Sequence, residues 1–316
     1  MEEKKNLATR EAYGLTLAAL AEENDKIVVL DADLAGSTQT AKFAKAAPER
    51  FVDCGIAEQD MVGVACGLAS CGKTAFLSSF AVFATGRAFE QIRNSVCYGK
   101  YNVKVAATHA GITVGEDGGT HQSILDVSLM RSLPGMTVIC PADATCTEWA
   151  VRAAAELNGP VYLRLGRLAA PAVYEAGQEF TLGKGQLLRT GSDIAIFASG
   201  LMVSQALEAA ELLAAEGVKA AVVDIHTIKP LDTELVCSLA ERCGAVLTVE
   251  EHSIIGGLGS AVAETLMEAG ISAAFQRVGM KDTFGQSGSP AALLKYYGLD
   301  AESIANQAKA TLARKK

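Results

Sequence analysis

Short apolar runs alternate along most of the chain with stretches in which apolar residues recur every three to four positions. Ile27, Val28, Val29 and Leu30 form one such run. A run with no polar face suits a strand covered on both sides of its sheet. The same reading predicts strands over 27–31, 74–77, 103–108, 136–140 and 161–165. Helical spacing predicts helices over 60–70, 85–98, 123–133 and 144–157. Gly72, Pro134-Gly135 and Gly159-Pro160 supply stop signals between these elements. A second series predicts strands over 193–198, 220–224, 245–249 and 273–278. Its helices are expected over 202–216, 232–242, 259–269, 290–296 and 301–313. Between the two series, 169–189 loses the rhythm and carries Pro171, Gly177, Gly183 and Gly185. Strands separated by helices of this length need crossover connections, which makes each sheet mainly parallel. The expected fold class is therefore α/β, with two three-layer domains at 1–170 and 191–316 and a linker at 171–190.

The length of 316 residues agrees with two domains, at roughly 100–200 residues each. Half of the residues are hydrophobic and 20% are charged, with seven Pro, which excludes disordered and collagen-like chains. A formal charge of −8 disfavours nucleic acid, because phosphate binding needs clustered Lys and Arg. No apolar run reaches the roughly 20 residues of a membrane helix. The charged opening segment, 1–6, lacks the apolar core of a signal peptide. The expectation is a cytoplasmic, soluble protein with no membrane contact. Its eight Cys form no CxxC pair and lie mostly in apolar segments, so reduced, buried thiols are expected rather than disulfides or a zinc site.

Three segments are not explained by regular elements alone. In 53–60 (DCGIAEQD), Glu58 opens a helix of small residues. It either complements the helix dipole or presents a carboxylate to a basic ring nitrogen. Phe80 and Phe83 are three apart and suit either core packing or a ring-binding pair. The segment 108–122 (THAGITVGEDGGTHQ) follows a strand and precedes a helix, at the carboxyl end of the sheet where open α/β folds bind ligands. It concentrates His109 and His121 beside Glu116, Asp117 and several glycines that permit close backbone approach. HxxH spacing is absent, so no metal is expected on this chain.

Taken together, GIAEQD, the Phe80/Phe83 pair, HAGITVGEDGGTHQ, VVDIHTIKPLD and EEHSIIGGLGSAV resemble the transketolase family of thiamine-diphosphate enzymes. The resemblance runs from about residue 8 to about residue 312 and implies a pyrimidine-binding domain followed by a transketolase C-terminal domain. It implies transfer of a two-carbon ketol unit from a ketose phosphate to an aldose phosphate, through a thiamine-diphosphate carbanion. Glu58 then matches the family Glu that hydrogen-bonds the aminopyrimidine, and Phe80 and Phe83 match aromatics that pack on that ring. His121 matches a catalytic His near the reacting carbons, and Asp117 an acid that recognises a donor hydroxyl. Arg10, Ser37, His109 and Arg164 match the substrate phosphate set, with Arg167 as a nearby alternative to Arg164. A third family aromatic aligns near Leu77, and Ala110 and Ser123 replace the Asp and Pro usual in longer members.

The family binds the cofactor diphosphate and Mg²⁺ in another domain, marked by a GDG motif that this sequence lacks. The chain thus resembles the C-terminal subunit of a split transketolase. A separate N-terminal subunit carrying the diphosphate-binding domain and Mg²⁺ is the expected partner. A self-dimer joined to two such partners, a heterotetramer, is the expected assembly. Two related activities share parts of the pattern: 1-deoxyxylulose-5-phosphate synthase, which usually has His where Asp60 stands, and the beta subunit of a 2-oxoacid dehydrogenase. Asp224-Ile225-His226 and Glu250-Glu251-His252 are expected at strand ends and a subunit interface. The Gly256-Gly257-Leu258-Gly259 run opens a helix and could hold an anion.

Overall fold

The computed structural model describes residues 6–315, so Met1–Lys5 of the charged opening segment and Lys316 lie outside the described residues. Six parallel strands form most of the first sheet: β1 (Ile27–Asp31), β2 (Phe51–Asp53), β3 (Thr74–Ser78), β4 (Val103–Ala107), β5 (Thr137–Ile139) and β6 (Val161–Arg164). The second sheet contains β7 (Gln186–Arg189), β8 (Ile194–Ala198), β9 (Ala220–Asp224), β11 (Ala245–Ser253) and β12 (Ala274–Met280). The remaining strand, β10 (Thr227–Lys229), leaves the second series and pairs antiparallel with β5. The strand orders are β10-β5-β6-β4-β3-β1-β2 and β12-β11-β8-β9-β7.

Strands β1, β3, β4, β6, β8 and β9 are buried at every position, as expected of continuous apolar runs with helices on both faces. The helices Thr9–Glu23 and Ala144–Glu156 cover one face of the first sheet, where Tyr13, Leu17, Val151 and Ala154 meet Val29, Phe76 and Leu163. Its other face packs Met61, Val62 and Ala65 of the helix Glu58–Ser70 against Leu30, Ala75 and Leu77. Asp143 caps the helix Ala144–Glu156 by accepting from Cys146 N at 2.9 Å. Such a cap contributes about 0.5–2 kcal/mol. Its other oxygen accepts the Val173 and Tyr174 amides, both at 2.8 Å, which fastens the inter-domain segment to the first domain.

Several elements depart from the sequence expectation. The stretch expected as a linker ends in β7, an edge strand of the second sheet, antiparallel to β9. The expected helix over 85–98 is wound with π-type turns at Phe83–Arg87 and Ile92–Tyr98. And β10 joins the halves, with Lys229 Nζ donating to Arg131 O and Leu133 O at 3.0 and 2.6 Å. No helix among the described residues is long and apolar enough to cross a membrane. All eight cysteines are free thiols.

Candidate active site

In the strand order β6-β4-β3-β1-β2, five parallel strands end side by side, and the segment after each carries a candidate residue. Glu58 follows β2, Ser37 follows β1, Phe80 and Phe83 follow β3, His109 to His121 follow β4, and Arg167 follows β6. The site is therefore a consequence of topology: carboxyl ends of adjacent parallel strands bring distant loops together.

Glu58 is the first residue of its helix and is 2% exposed. Arg87 Nη1 donates to its two oxygens at 2.8 and 2.9 Å. The same guanidinium lies 4.7 Å from the Phe83 ring centroid, a cation–π contact. Phe83 and Phe80 are stacked, with centroids 5.9 Å apart and planes 12° from parallel. The His109 ring stacks on Phe80 at 3.8 Å, and His121 meets Phe83 edge-on at 5.4 Å. Burial, then Arg10, Arg167 and His121, push the His109 imidazole down to about 3. His109 is therefore neutral near pH 7, with one ring nitrogen engaged by Thr108 Oγ1 at 2.9 Å.

Arg10 and Arg167 converge on this end of the arc. Gly166 N donates to Thr9 Oγ1 at 2.7 Å, which sets the start of the first helix beside Arg167. Arg10 Nη1 donates to Ser37 O at 2.6 Å. Burial and the charge of Arg167 lower the Arg10 guanidinium from its usual value. The segment around Ser37 is held by Asp31 at the end of β1, which accepts from Leu34 N and the Thr38 and Thr40 hydroxyls at 2.6, 2.6 and 2.8 Å. Arg167 donates to Val114 O and stands 3.5 Å from Glu116. Asp117 is exposed at the end of the turn Ile112–Asp117, next to Gly118.

Arg164 does not join this group. It is 7% exposed, and its Nε donates to Asp126 Oδ2 at 2.7 Å while Nη2 donates to Glu251 O at 2.9 Å. Burial alone would raise the Asp126 carboxyl, but Arg164 and His252 hold it below the usual range. As the last residue of β6, Arg164 is bonded to Glu251 O of the second domain, and the charge of Arg167, past the strand end, acts on His109. The sequence reading also missed Arg87 and Asp31. Arg87 gave no signal because it pairs across 29 residues. Asp31, an acid ending an apolar strand, carried one.

Several side chains of the later motifs bond within the chain. Glu250 accepts Leu258 N and Gly259 N at 2.7 and 2.8 Å, so a carboxylate of the chain itself fills the anion position at that helix start. Asp224 Oδ2 accepts from Tyr174 OH at 2.7 Å, and His252 Nε2 accepts from Ser128 N at 3.3 Å. Among the described residues, no group of three or more His, Cys, Asp or Glu side chains converges to hold a metal.

The residues fit the pyrimidine end of thiamine diphosphate on one observation. The Arg87 guanidinium is a planar cation that lies against an aromatic face and points an N–H at a buried carboxylate. A protonated or N–H-bearing heterocycle would make the same two contacts with Phe83 and Glu58.

Residues 5–172 match the transketolase pyrimidine binding domain and residues 183–304 match the transketolase C-terminal domain. A putative transketolase C-terminal section from Methanocaldococcus jannaschii is 51% identical over 300 residues, covering 94% of each chain. A 6-deoxy-6-sulfo-D-fructose transketolase subunit from a Clostridium species is 44% identical over 306 residues, covering 97% of this chain and 95% of its own. A solved structure described as a split gene transketolase, an inactive beta4 tetramer, superimposes with a TM-score of 0.91 at 54% identity. That superposition covers 98% of this chain and all of the other. Domain content, extent and fold agree: the chain belongs to the transketolase family, and its relatives include transketolase subunits and a split gene transketolase.

Proposed function

We propose that this chain is the C-terminal subunit of a two-chain transketolase that moves a two-carbon ketol unit from a ketose phosphate to an aldose phosphate. The observation that carries the reading is the unbroken arc from Glu58 through Phe83, Phe80 and His109 to Arg10 and Arg167. One end suits a flat nitrogen heterocycle and the other an anion, with His121 between them. Thiamine diphosphate, when bound, supplies the electron sink for breaking and forming the carbon–carbon bond.

The chain's own residues hold and orient. Glu58 is a buried acceptor for an N–H at the pyrimidine edge. Phe80 and Phe83 offer apolar ring faces. His121 stands where it can exchange a proton with a substrate hydroxyl, and Asp117 accepts from a donor hydroxyl. Arg10, Arg167 and Ser37 surround the terminal anion, with neutral His109 as a hydrogen-bond donor. Arg167 takes the place first given to Arg164, whose guanidinium is already bonded to Asp126 and Glu251 O. The anion is a tetrahedral oxyanion, and the relative named for a 6-sulfo ketose extends the class from phosphate to sulfonate. The cofactor diphosphate and Mg²⁺ belong to a separate N-terminal subunit, and the working assembly is a cytoplasmic heterotetramer built on a dimer of this chain.

The test is reconstitution with the N-terminal subunit, thiamine diphosphate, Mg²⁺, xylulose 5-phosphate and ribose 5-phosphate. Glyceraldehyde 3-phosphate is expected to form, and Glu58→Gln is expected to cut turnover by about 10²–10⁴-fold, the usual range for a positioned proton-transfer group. Turnover with pyruvate but with neither phosphorylated nor sulfonated ketoses would overturn the reading in favour of a deoxyxylulose-phosphate synthase.

A further inference from the structure

The second domain places no side chain in the arc, yet it grips the loop that carries Asp117 and His121. Glu251 lies on β11 and is 5% exposed. Its Oε1 accepts the Thr113 amide at 2.5 Å, 138 residues away in sequence. Gly111, two residues earlier, has φ +82°, and a Cβ there would overlap the Glu251 carboxylate. The turn thus lies flat on the side chain, and only glycine fits between them. Further along, Ser287 Oγ donates to Glu116 O at 2.7 Å, and Gln122 Nε2 donates to Gln286 O at 3.0 Å and to Ile112 O at 3.1 Å. Beneath the loop, Arg164 ties Glu251 O to Asp126. These bonds lie on residues 111–122 or on Arg164 and Asp126 beside them.

We propose that Glu251 is a positioning residue for the neighbouring domain's substrate chemistry. Its carboxylate fixes the turn Ile112–Asp117 and so sets how Asp117 and His121 face the sugar. The inference rests on the ketol-transfer reading for its kinetic part and on geometry alone for its structural part. Glu251 bonds the turn and not the pyrimidine end, which meets the loop only through the rings of His109 and His121 on Phe80 and Phe83; the expected effect therefore falls mainly on the substrate side.

The assembled two-subunit enzyme is compared as wild type, Glu251→Ala, Glu251→Gln and Ser287→Ala. Three quantities are read: amide hydrogen exchange over residues 111–122, KM and kcat for a ketose-phosphate donor, and thiamine-diphosphate affinity by calorimetry. Glu251→Ala is expected to speed exchange at Thr113 about tenfold or more by releasing a locally held turn. It is expected to raise the donor KM or lower kcat/KM by about 10–100-fold, the cost of misplacing a reacting group, with cofactor affinity within about twofold. Glu251→Gln, which still accepts the Thr113 amide, is expected to recover most of both losses. Ser287 is exposed, so Ser287→Ala folds whatever happens to the buried variant, and it should loosen Glu116 and Asp117 and shift KM in the same direction.

Unchanged exchange and unchanged KM in Glu251→Ala and Ser287→Ala would overturn the proposal. So would a parallel fall of cofactor and donor binding, which marks a merely structural role. If the wild-type enzyme turns over no sugar donor, the function reading fails by itself, and the exchange data still decide whether Glu251 fixes the loop.

Discussion

Arg87 donates to both carboxylate oxygens of Glu58, at 2.8 and 2.9 Å, across 29 residues of sequence. The pair is lopsided: the Glu58 side chain is 2% exposed and Arg87 is 49% exposed. An exposed ion pair contributes about 0.2–1 kcal/mol and breaking a buried one costs about 3–5. This pair falls between, because water still reaches the guanidinium. Arg87→Met is therefore expected to lower the melting temperature of the chain, and Glu58→Gln in the same background to recover part of the loss. A double-mutant cycle should give a coupling of about 1–2 kcal/mol. Strictly additive single effects would mean that the contact contributes nothing.

Arg164 and Arg167 separate by experiment. Removing one member of a buried ion pair costs about 3–5 kcal/mol, so Arg164→Met should markedly destabilise the chain through Asp126. Arg167 is 37% exposed and its pair with Glu116 is 3.5 Å long. Arg167→Met should leave thermal stability nearly unchanged and raise KM for phosphorylated donors about tenfold or more, since a charge-assisted hydrogen bond is worth about 1.5–3 kcal/mol. Normal stability in the first variant together with a normal KM in the second would return the anion role to Arg164.

Asp224 predicts a pH dependence of stability. Its carboxyl is fully buried at the end of β9, and burial pushes it up from 3.8 to about 8, opposed by the Tyr174 hydroxyl and reinforced by Asp143. One of its oxygens has no hydrogen-bond partner among the described residues. The unfolded chain gives up this proton near 3.8 and the folded chain near 8. The stability contributed by the protonated group is therefore fully present below the lower value and is lost as the pH rises through the upper one. Urea unfolding between pH 5 and pH 9 should show Asp224→Asn with a flatter decline than wild type. Parallel curves for the two proteins would show that Asp224 is already ionised in the fold.

Much of the architecture was legible because its signals are local. A strand such as β1 is buried at all five positions and reads as an apolar run, and Asp143 announces the helix that it caps. Three-residue edge strands carry no such pattern: β2 is half-buried or exposed along its length, and β10 belongs by sequence to one domain and by pairing to the other. The π-type turns after Phe83 were equally silent, since they add no residue type that marks them.

The sequence by itself determined the two α/β domains and the family. Those properties follow from periodicity and from motifs that are contiguous in the chain. Only the tertiary structure decided which of two arginines three residues apart is locked to Asp126, which cation bonds Glu58, and that Glu251 of the second domain holds the turn before Asp117. These are pairings across 29 to 138 residues. They exist because parallel strands end side by side, and a contact made by the order of strands in a sheet leaves no trace in the order of residues in the chain.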